Sequence, residues 1–389
     1  MVSPTFANID LEALKANYLS VSEFIQRRSS KKLNKVPVNI IAVIKANAYG
    51  HGSIAVARAL EEAGSFMLAC ADIEEGVKLR ESGVRTPILV FGALSVSDLN
   101  GVFTHNLTPT VSSPFAARAL QAAAETRNFQ LHCHLKIDTG MNRFGFRHDN
   151  LHQTIPEVLL SRNLIFDAVY THFATADQLS NQIFERQQKH FIASIEVLSM
   201  LGFQSRFCHA ANSASLLRDD QCWFDAVRPG LLLYGVVPPP LIPPPSLRLR
   251  PVMSLRSRIV AVKGVRPGEI LGYGGQFTAV RPTRVAIVPA GYADGLDVRL
   301  AGVGFALVRG CRVPIIGSVC MDSITIDVTE LDVSPGDEVV ILGTQDDEHI
   351  DIVEMAKWIG TVPYEILCRT GIRIERVYKS DNLLSKVKL

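Results

Sequence analysis

The sequence predicts an α/β chain, an N-terminal (β/α)8 TIM-type barrel followed by a mostly β C-terminal domain. The first observation is an alternation of strand-like apolar runs with helical patterns that persists to Arg228, eight pairs in about 220 residues, the size of such a barrel. The second is a proline run after Tyr234, beyond which only short strands and turns follow. The expected domains are an N-terminal segment over 1–10 free to pair with the β domain, the barrel over 11–237, a proline-rich linker over 238–251 and the β domain over 252–389. A doubly wound open sheet would alternate in the same way. Its first turn here lacks G-x-G-x-x-G, so a dinucleotide-binding reading has no fingerprint.

Taken in order, Asp10 is placed to cap a first helix over 10–18, with Glu12 in its first turn. Strands are expected at 38–45, 66–71, 88–91, 107–111, 131–138, 166–172, 206–210 and 224–228. The fourth tolerates Pro109 poorly if it is central. Helices are expected over 53–63, 73–82, 112–127, 149–161 and 181–200, with a short one from Ser213. From Pro238 to Pro245 six of the residues are proline, which excludes a strand or helix interior and predicts extended polyproline II. At ~3.1 Å per residue, the stretch to Pro251 would reach roughly 40 Å, so it reads as a rigid spacer rather than a ligand for a proline-binding module. Beyond it, strands are expected within 252–265 and at 284–289, 305–309, 313–316, 323–328, 338–342 and 373–378, with only 350–359 helical.

Composition bounds the function. The chain has 389 residues, 47% hydrophobic and 20% charged, which predicts a substantial core. A net charge of +2 gives no basic stripe for nucleic acid. No apolar stretch reaches about 18 residues and no signal peptide is visible, so no membrane partner is expected. The seven cysteines are scattered and never spaced C-x-x-C, which suits a reducing, cytoplasmic setting and gives no zinc motif.

The first strand leads to the chemistry. V38-N-I-I-A-V-I-K-A-N-A-Y-G-H-G52 is an apolar run ending at Lys45, followed by a small-residue turn carrying Tyr49. Three readings of Lys45 compete: a solvated loop residue, a phosphate ligand, or a desolvated Schiff-base lysine. The P-loop pattern is absent, so the second has no motif. In a barrel, the carboxyl ends of the strands converge on one site. They would bring together Lys45, Tyr49, Lys136, the 138–145 loop, His172, Ser213, Arg228 and Gly230. Ser213 and Gly230 stand after strands seven and eight, where barrels often hold phosphate. A lysine at one end and a phosphate site at the other fit pyridoxal 5'-phosphate (PLP). His132 and His134 share a strand face with Lys136 by the period of two. No third ligand is evident, so they read as hydrogen-bonded histidines and no metal is expected.

The motifs resemble the alanine racemase family over nearly the whole length. V43-I-K-A-N-A-Y-G-H-G52 is similar to its PLP-lysine motif. D138-T-G-M-N-R143, T171-H-F-A-T-A-D177, A211-N-S213, R228-P-G230, L271-G-Y-G274, G291-Y-A-D-G295, C320-M-D322 and V362-P-Y364 resemble its other blocks, in the same order. The resemblance implies a PLP enzyme that interconverts L- and D-alanine, supplies D-alanine for peptidoglycan and works as a homodimer with shared sites.

Residue by residue, it implies that Lys45 holds PLP as a Schiff base and then acts as one base. Tyr49, Ser213, Gly230, Leu231 and Tyr364 match phosphate contacts, and Arg228 the residue facing the pyridine nitrogen. An arginine does not give up its proton near neutrality, so the ring is a weaker electron sink than with an acidic partner. Tyr273 matches the second base, on the opposite face of Cα and from the partner chain. A free tyrosine titrates near 10, so work near pH 7 asks for ~4 kcal/mol of help, which His172 and Arg228 match as a cationic network. Arg143 and the Met321 backbone match substrate-carboxylate contacts. Lys136 matches a lysine carbamylated in some members that helps hold the arginine, and Tyr292 and Asp322 fall in the supporting blocks. Without the resemblance, Tyr273 and Tyr292 would read as loop aromatics, and Arg143 and Arg228 as surface ion-pair residues. The rival functions are a racemase of another small amino acid such as serine, a PLP-barrel decarboxylase and a non-catalytic PLP carrier.

Overall fold

The structure is a computed structural model that describes residues 4–29, 37–92 and 99–379. The expected domain ends at 1–3 and 380–389 lie outside the described residues. The chain opens with strand β1 (Phe6–Asp10) and a helix, Leu11–Ser29, whose first turn is capped by Asp10: the Ala13 N–H donates to Asp10 Oδ1 at 2.7 Å.

Eight parallel strands then close on themselves. They are β2 (Asn39–Val43), β3 (Met67–Cys70), β4 (Ile88–Val90), β5 (Thr108–Val111), β6 (Leu131–Asp138), then, after the two-residue strand β7 (Phe146–Arg147), β8 (Leu164–Tyr170), β9 (Phe207–Asn212) and β10 (Ala226–Arg228). Each pairs with its neighbour, β10 pairs β2, β5 pairs β6, and the ring is complete. This is the (β/α)8 barrel, its strands buried on both faces because helices cover the outside. Pro109 sits centrally between β4 and β6 after all. The Thr110 hydroxyl donates to the Val90 carbonyl at 2.7 Å, satisfying an acceptor beside the residue that has no N–H to give.

The proline segment departs from the expected extended spacer. It turns twice, with the Leu241 N–H bonded to the Pro238 carbonyl and the Leu247 N–H to that of Pro244. Leu247 is buried, and Leu241 and Leu249 pack on the core. The buried Asn17 of the first helix clamps the segment's end: its amide donates to the carbonyls of Leu233 and Arg250, and its Oδ1 accepts the Arg250 N–H. Apolar side chains interleaved with the prolines gain more from burial than a solvated polyproline helix offers.

The second domain is one mainly antiparallel sheet. Its strands are β11 (Met253–Arg258), β12 (Ala261–Val265), the short pair β13 (Ile270–Leu271) and β14 (Phe277–Thr278) set apart from the main sheet, β15 (Thr283–Val288), β16 (Phe305–Val308), β17 (Cys311–Ile316), β18 (Ile324–Asp327), β19 (Glu338–Gln345), β20 (Glu348–Ile350) and β21 (Glu375–Lys379). The N-terminal β1 lies between β11 and β21, so both ends of the described chain are built into this sheet. Besides the expected helix, here Ile352–Trp358, a second one, Pro363–Cys368, escaped the sequence reading; Pro363 starts it, where a missing N–H costs nothing. That helix and β21 seat the domain on the barrel. The Arg376 Nε donates to the Gly50 carbonyl at 3.0 Å, and a Cβ on Gly50 would meet the Leu367 carbonyl oxygen at 2.1 Å.

Candidate active site

A cavity of about 330 Å³ opens at the carboxyl ends of the barrel strands. Its wall includes Lys45, Tyr49, Lys136, Arg143, His172, Ser213, Arg228, Gly230 and Tyr364, nine of the residues singled out from sequence. Four of these are basic and none of the lining residues is acidic. A larger cavity, about 660 Å³, lies where the proline segment meets the β domain around Leu249 and Leu342, and none of those nine residues lines it.

Lys45 leaves β2 into an unusual backbone. Ala46, Asn47, Ala48 and Tyr49 all have φ between 51° and 54°, a left-handed turn built without glycine. Each such residue costs on the order of 1–2 kcal/mol, so neighbouring groups must hold it. The Asn47 side chain accepts the Ser53 N–H at 2.8 Å, and the buried His51 ring bonds the carbonyls of Ala48 and Tyr49 through Nδ1. Burial first, and Arg143 second, push the Lys45 amine below the ordinary lysine range, toward the neutral form.

On β6, burial and the charges of Arg143 and Arg228 bring Lys136 down to about 7. Its Nζ lies 5.4 Å from the Tyr170 ring. The Arg143 loop is shaped by Asp138, whose Oδ1 accepts the N–H groups of Gly140, Met141 and Asn142. His134 and Lys136 belong to this interior, whereas His132 stands at the exposed start of β6 against Asp167 Oδ2 at 2.7 Å. Among the described residues no His, Cys, Asp or Glu cluster has metal-ligand geometry.

Arg228 ends β10 fully enclosed. It donates to the carbonyls of Thr171 and Ala210 at 2.7 and 2.8 Å, and to Nδ1 of His209 at 2.7 Å and of His172 at 3.3 Å. Both imidazoles therefore act as neutral acceptors, and burial plus the arginine charge hold both well below the usual histidine range. Arg228 itself, lowered by burial to about 10, remains charged near neutrality. In the expected His172–Arg228 cationic network the charge sits on Arg228 alone, because two adjacent buried cations would repel. His209 was missed in the sequence. It stands in the expected seventh strand, and the period of two that places alternate side chains inward would have found it.

In the same cavity wall, the Ser213 hydroxyl accepts the Gly230 N–H at 2.8 Å. A Cβ on Gly230 would meet Tyr49 Oη at 2.5 Å, so only glycine leaves this corner open. Leu231 is buried directly behind it. Tyr364, at the second position of the helix that sequence missed, brings its ring to 5.9 Å from that of Tyr49, and burial pushes its hydroxyl up to about 12.

The remaining candidates lie elsewhere on the chain. Tyr273 tops the turn between β13 and β14 and is 79% exposed. Its carbonyl accepts the Ser318 hydroxyl, which ties it to the loop carrying Met321. That loop holds the Tyr292 turn through Tyr292 N–H to the Cys320 carbonyl and Ala293 N–H to that of Met321, both at 3.0 Å. Asp322 accepts from Arg373 at 2.7 Å. Tyr273, Tyr292 and Met321 form an exposed face of the β domain, and none of them lines the cavity of the same chain.

Comparison with known proteins matches this organisation. The profile "Alanine racemase, N-terminal domain" covers residues 9–238, and "Alanine racemase, C-terminal domain" covers 252–378. The chain is 39% identical to an alanine racemase of Carboxydothermus hydrogenoformans over 376 residues, 96% of this chain and 99% of that protein. It superposes on the alanine racemase of Clostridium difficile 630 with a TM-score of 0.90 at 32% identity, covering 100% and 99% of the two chains. The alanine racemase of Bartonella henselae, solved with covalently bound pyridoxal phosphate, gives 0.82 at 27% identity over 96% and 99%. With both domains matched, in order and over nearly the full length, the chain belongs to the alanine racemase family.

Proposed function

We propose that the chain interconverts L- and D-alanine, with PLP as its cofactor and Lys45 and Tyr273 as its two bases. The observation that carries this is the cavity wall: four basic side chains, no carboxylate, and Lys45 lining the same cavity as the Ser213–Gly230 corner. Lys136 and Arg228 are buried with no acid in the cavity wall; such groups call for anions, and PLP brings a phosphate while an amino acid brings a carboxylate. Tyr49, Ser213, Gly230, Leu231 and Tyr364 would hold the phosphate, Arg228 and His172 the ring, and Lys45 the aldehyde carbon. When bound, PLP supplies the electron sink that makes the Cα proton of an attached amino acid removable.

The chain's own groups do the rest. Lys45, with its pKa lowered, can be neutral when freed and take or return the Cα proton on one face. Arg143 binds the substrate carboxylate. Unmodified, Lys136 and Arg143 repel each other; a carbamate, formed if the neutral Lys136 amine adds dissolved CO2 and releases a proton, as a pKa of about 7 favours near neutrality, would turn that repulsion into attraction. Tyr273 serves the second face of Cα, with Met321, Tyr292 and Asp322 beside it. All four stand on the β domain, away from their own chain's cavity, so the reading requires a second copy whose β domain caps the barrel, a homodimer with shared sites. A decarboxylase would want an acidic group at the pyridine nitrogen, where this chain offers Arg228. The enzyme would act in the cytoplasm, where its unpaired cysteines stay reduced, and supply D-alanine for peptidoglycan.

The test is incubation of the purified protein with L-alanine in deuterated water, following both enantiomers by chiral chromatography and mass spectrometry. D-alanine should appear carrying deuterium at Cα. Loss of the carboxylate instead would identify a decarboxylase, and no exchange a carrier.

A further inference from the structure

The left-handed turn after Lys45 is strained, and one carboxylate outside the cavity lining holds it. Glu75 is the third residue of the helix Ile73–Glu81, capped by Asp72, whose Oδ1 accepts the Glu75 N–H at 2.8 Å. A glutamate there ordinarily reaches back to its own helix cap. Glu75 does something else. Its Oε1 accepts the Ala46 N–H at 2.7 Å and the Asn47 N–H at 3.4 Å, and its Oε2 accepts the Ala71 N–H at 2.8 Å. One carboxylate thus ties the first two residues after Lys45 to the loop that follows β3. A left-handed turn aims its N–H groups unlike a right-handed helix, and a charged bidentate acceptor fixed by a neighbouring helix is well suited to trap them.

We propose that Glu75 is a positioning residue for the racemase reaction: by clamping the Ala46, Asn47 and Ala71 amides it sets the Lys45 amine and the Tyr49 ring in place for PLP. This rests on the assignment of Lys45 above. Glu75 also acts through its charge. The groups bearing on Lys45 are Arg143, Lys136 and His172 on one side, and Glu75 and Cys368 on the other, Glu75 opposing the fall that burial and Arg143 cause. Glu75 itself is faced by Asp72, Cys70, Cys368 and Tyr234 as well as Lys45. Removing its charge lowers the pH at which Lys45 becomes neutral.

The experiment compares Glu75→Ala, the near-isosteric Glu75→Gln and the neighbouring control Glu74→Ala, each as the full chain freed of PLP and titrated back with PLP while visible absorbance is followed from pH 6 to 10. In Glu75→Gln, an amide NH2 must oppose one of the clamped N–H groups, so one end of the tie is lost. Both Glu75 variants should bind PLP at least about tenfold more weakly than the control, with the apparent pKa of PLP capture shifted down. A loss of folding alone would leave the pKa of the folded fraction unmoved. Either readout remaining at the control's value in Glu75→Gln overturns the proposal; if Glu75→Ala does not fold, Glu75→Gln decides. Lys45→Ala is run in parallel: normal PLP capture by that variant would refute the assignment of Lys45 itself, a separate outcome.

Discussion

At the scale of the residue, the two proposed bases, Lys45 and Tyr273, stand in different surroundings. Lys45 is half-buried, repelled by Arg143 and biased toward a neutral amine before anything binds. Tyr273 stands exposed at a hairpin tip, its backbone set by Gly272, Gly274 and Gly275 at positive φ. Tyr273→Phe keeps the ring and removes the proton carrier, so it should leave PLP absorbance intact and reduce racemisation about 10²–10⁴-fold, the usual worth of a positioned general base. Stopped-flow turnover in both directions checks this, and full activity would remove Tyr273 from the mechanism. The residues that the fold gathers around the cavity were legible in the sequence because each stands in a short motif: Lys45 and Tyr49 beside glycines, Arg143 after D-T-G, Arg228 before P-G. Glu75 and His209 were not. Glu75 acts on Ala46 and Asn47, 29 and 28 residues away, and His209 on Arg228, 19 residues away. Neither stands in a short motif, though strand alternation alone places His209 inward.

At the scale of the element, the barrel strands were readable because burial on both faces selects unbroken apolar runs. Errors came where side chains substitute for backbone, as at Pro109, or where apolar residues hide among prolines. The segment after Tyr234 shows the second case. Its prolines exclude regular structure, but Leu241, Leu247 and Leu249 and the Asn17 clamp fasten it to the first helix. Asn17→Ala would leave a buried N–H and two buried carbonyls without these partners, at ~2–4 kcal/mol. Urea denaturation should show a lower midpoint with little change in slope, the midpoint shift multiplied by the slope equalling that amount. An unchanged midpoint would mean that the segment is held by its leucines alone. The helix Pro363–Cys368 was missed because at six residues it has too little periodicity to register, though it brings Tyr364 to the site.

At the scale of the whole molecule, the β domain plays two parts. Through Pro363–Cys368 and β21 it seats against its own barrel, placing Tyr364 beside Tyr49 and bonding Arg376 to Gly50. With its other face it presents Tyr273, Tyr292 and Met321 outward. If that face completes a partner's site, two inactive variants should rescue each other. Lys45→Ala and Tyr273→Phe, mixed after dissociation and reassembled, form a hybrid dimer in which one site carries both defects and the other none, so activity should return to about a quarter of the parent's. Tyr273 acting within its own chain would give no rescue.

By itself the sequence determined the two-domain architecture and the cationic residues of the site, because strand burial, glycine turns and motif spacing are local properties written in neighbouring residues. Only the tertiary structure decided that the proline segment is a fastened strap, that Arg228 carries its charge alone between two neutral imidazoles, and that Tyr273 does not line the cavity that holds its own Lys45. Those outcomes depend on which distant groups share a dielectric, a hydrogen bond or a surface, and chain closure alone brings such groups together.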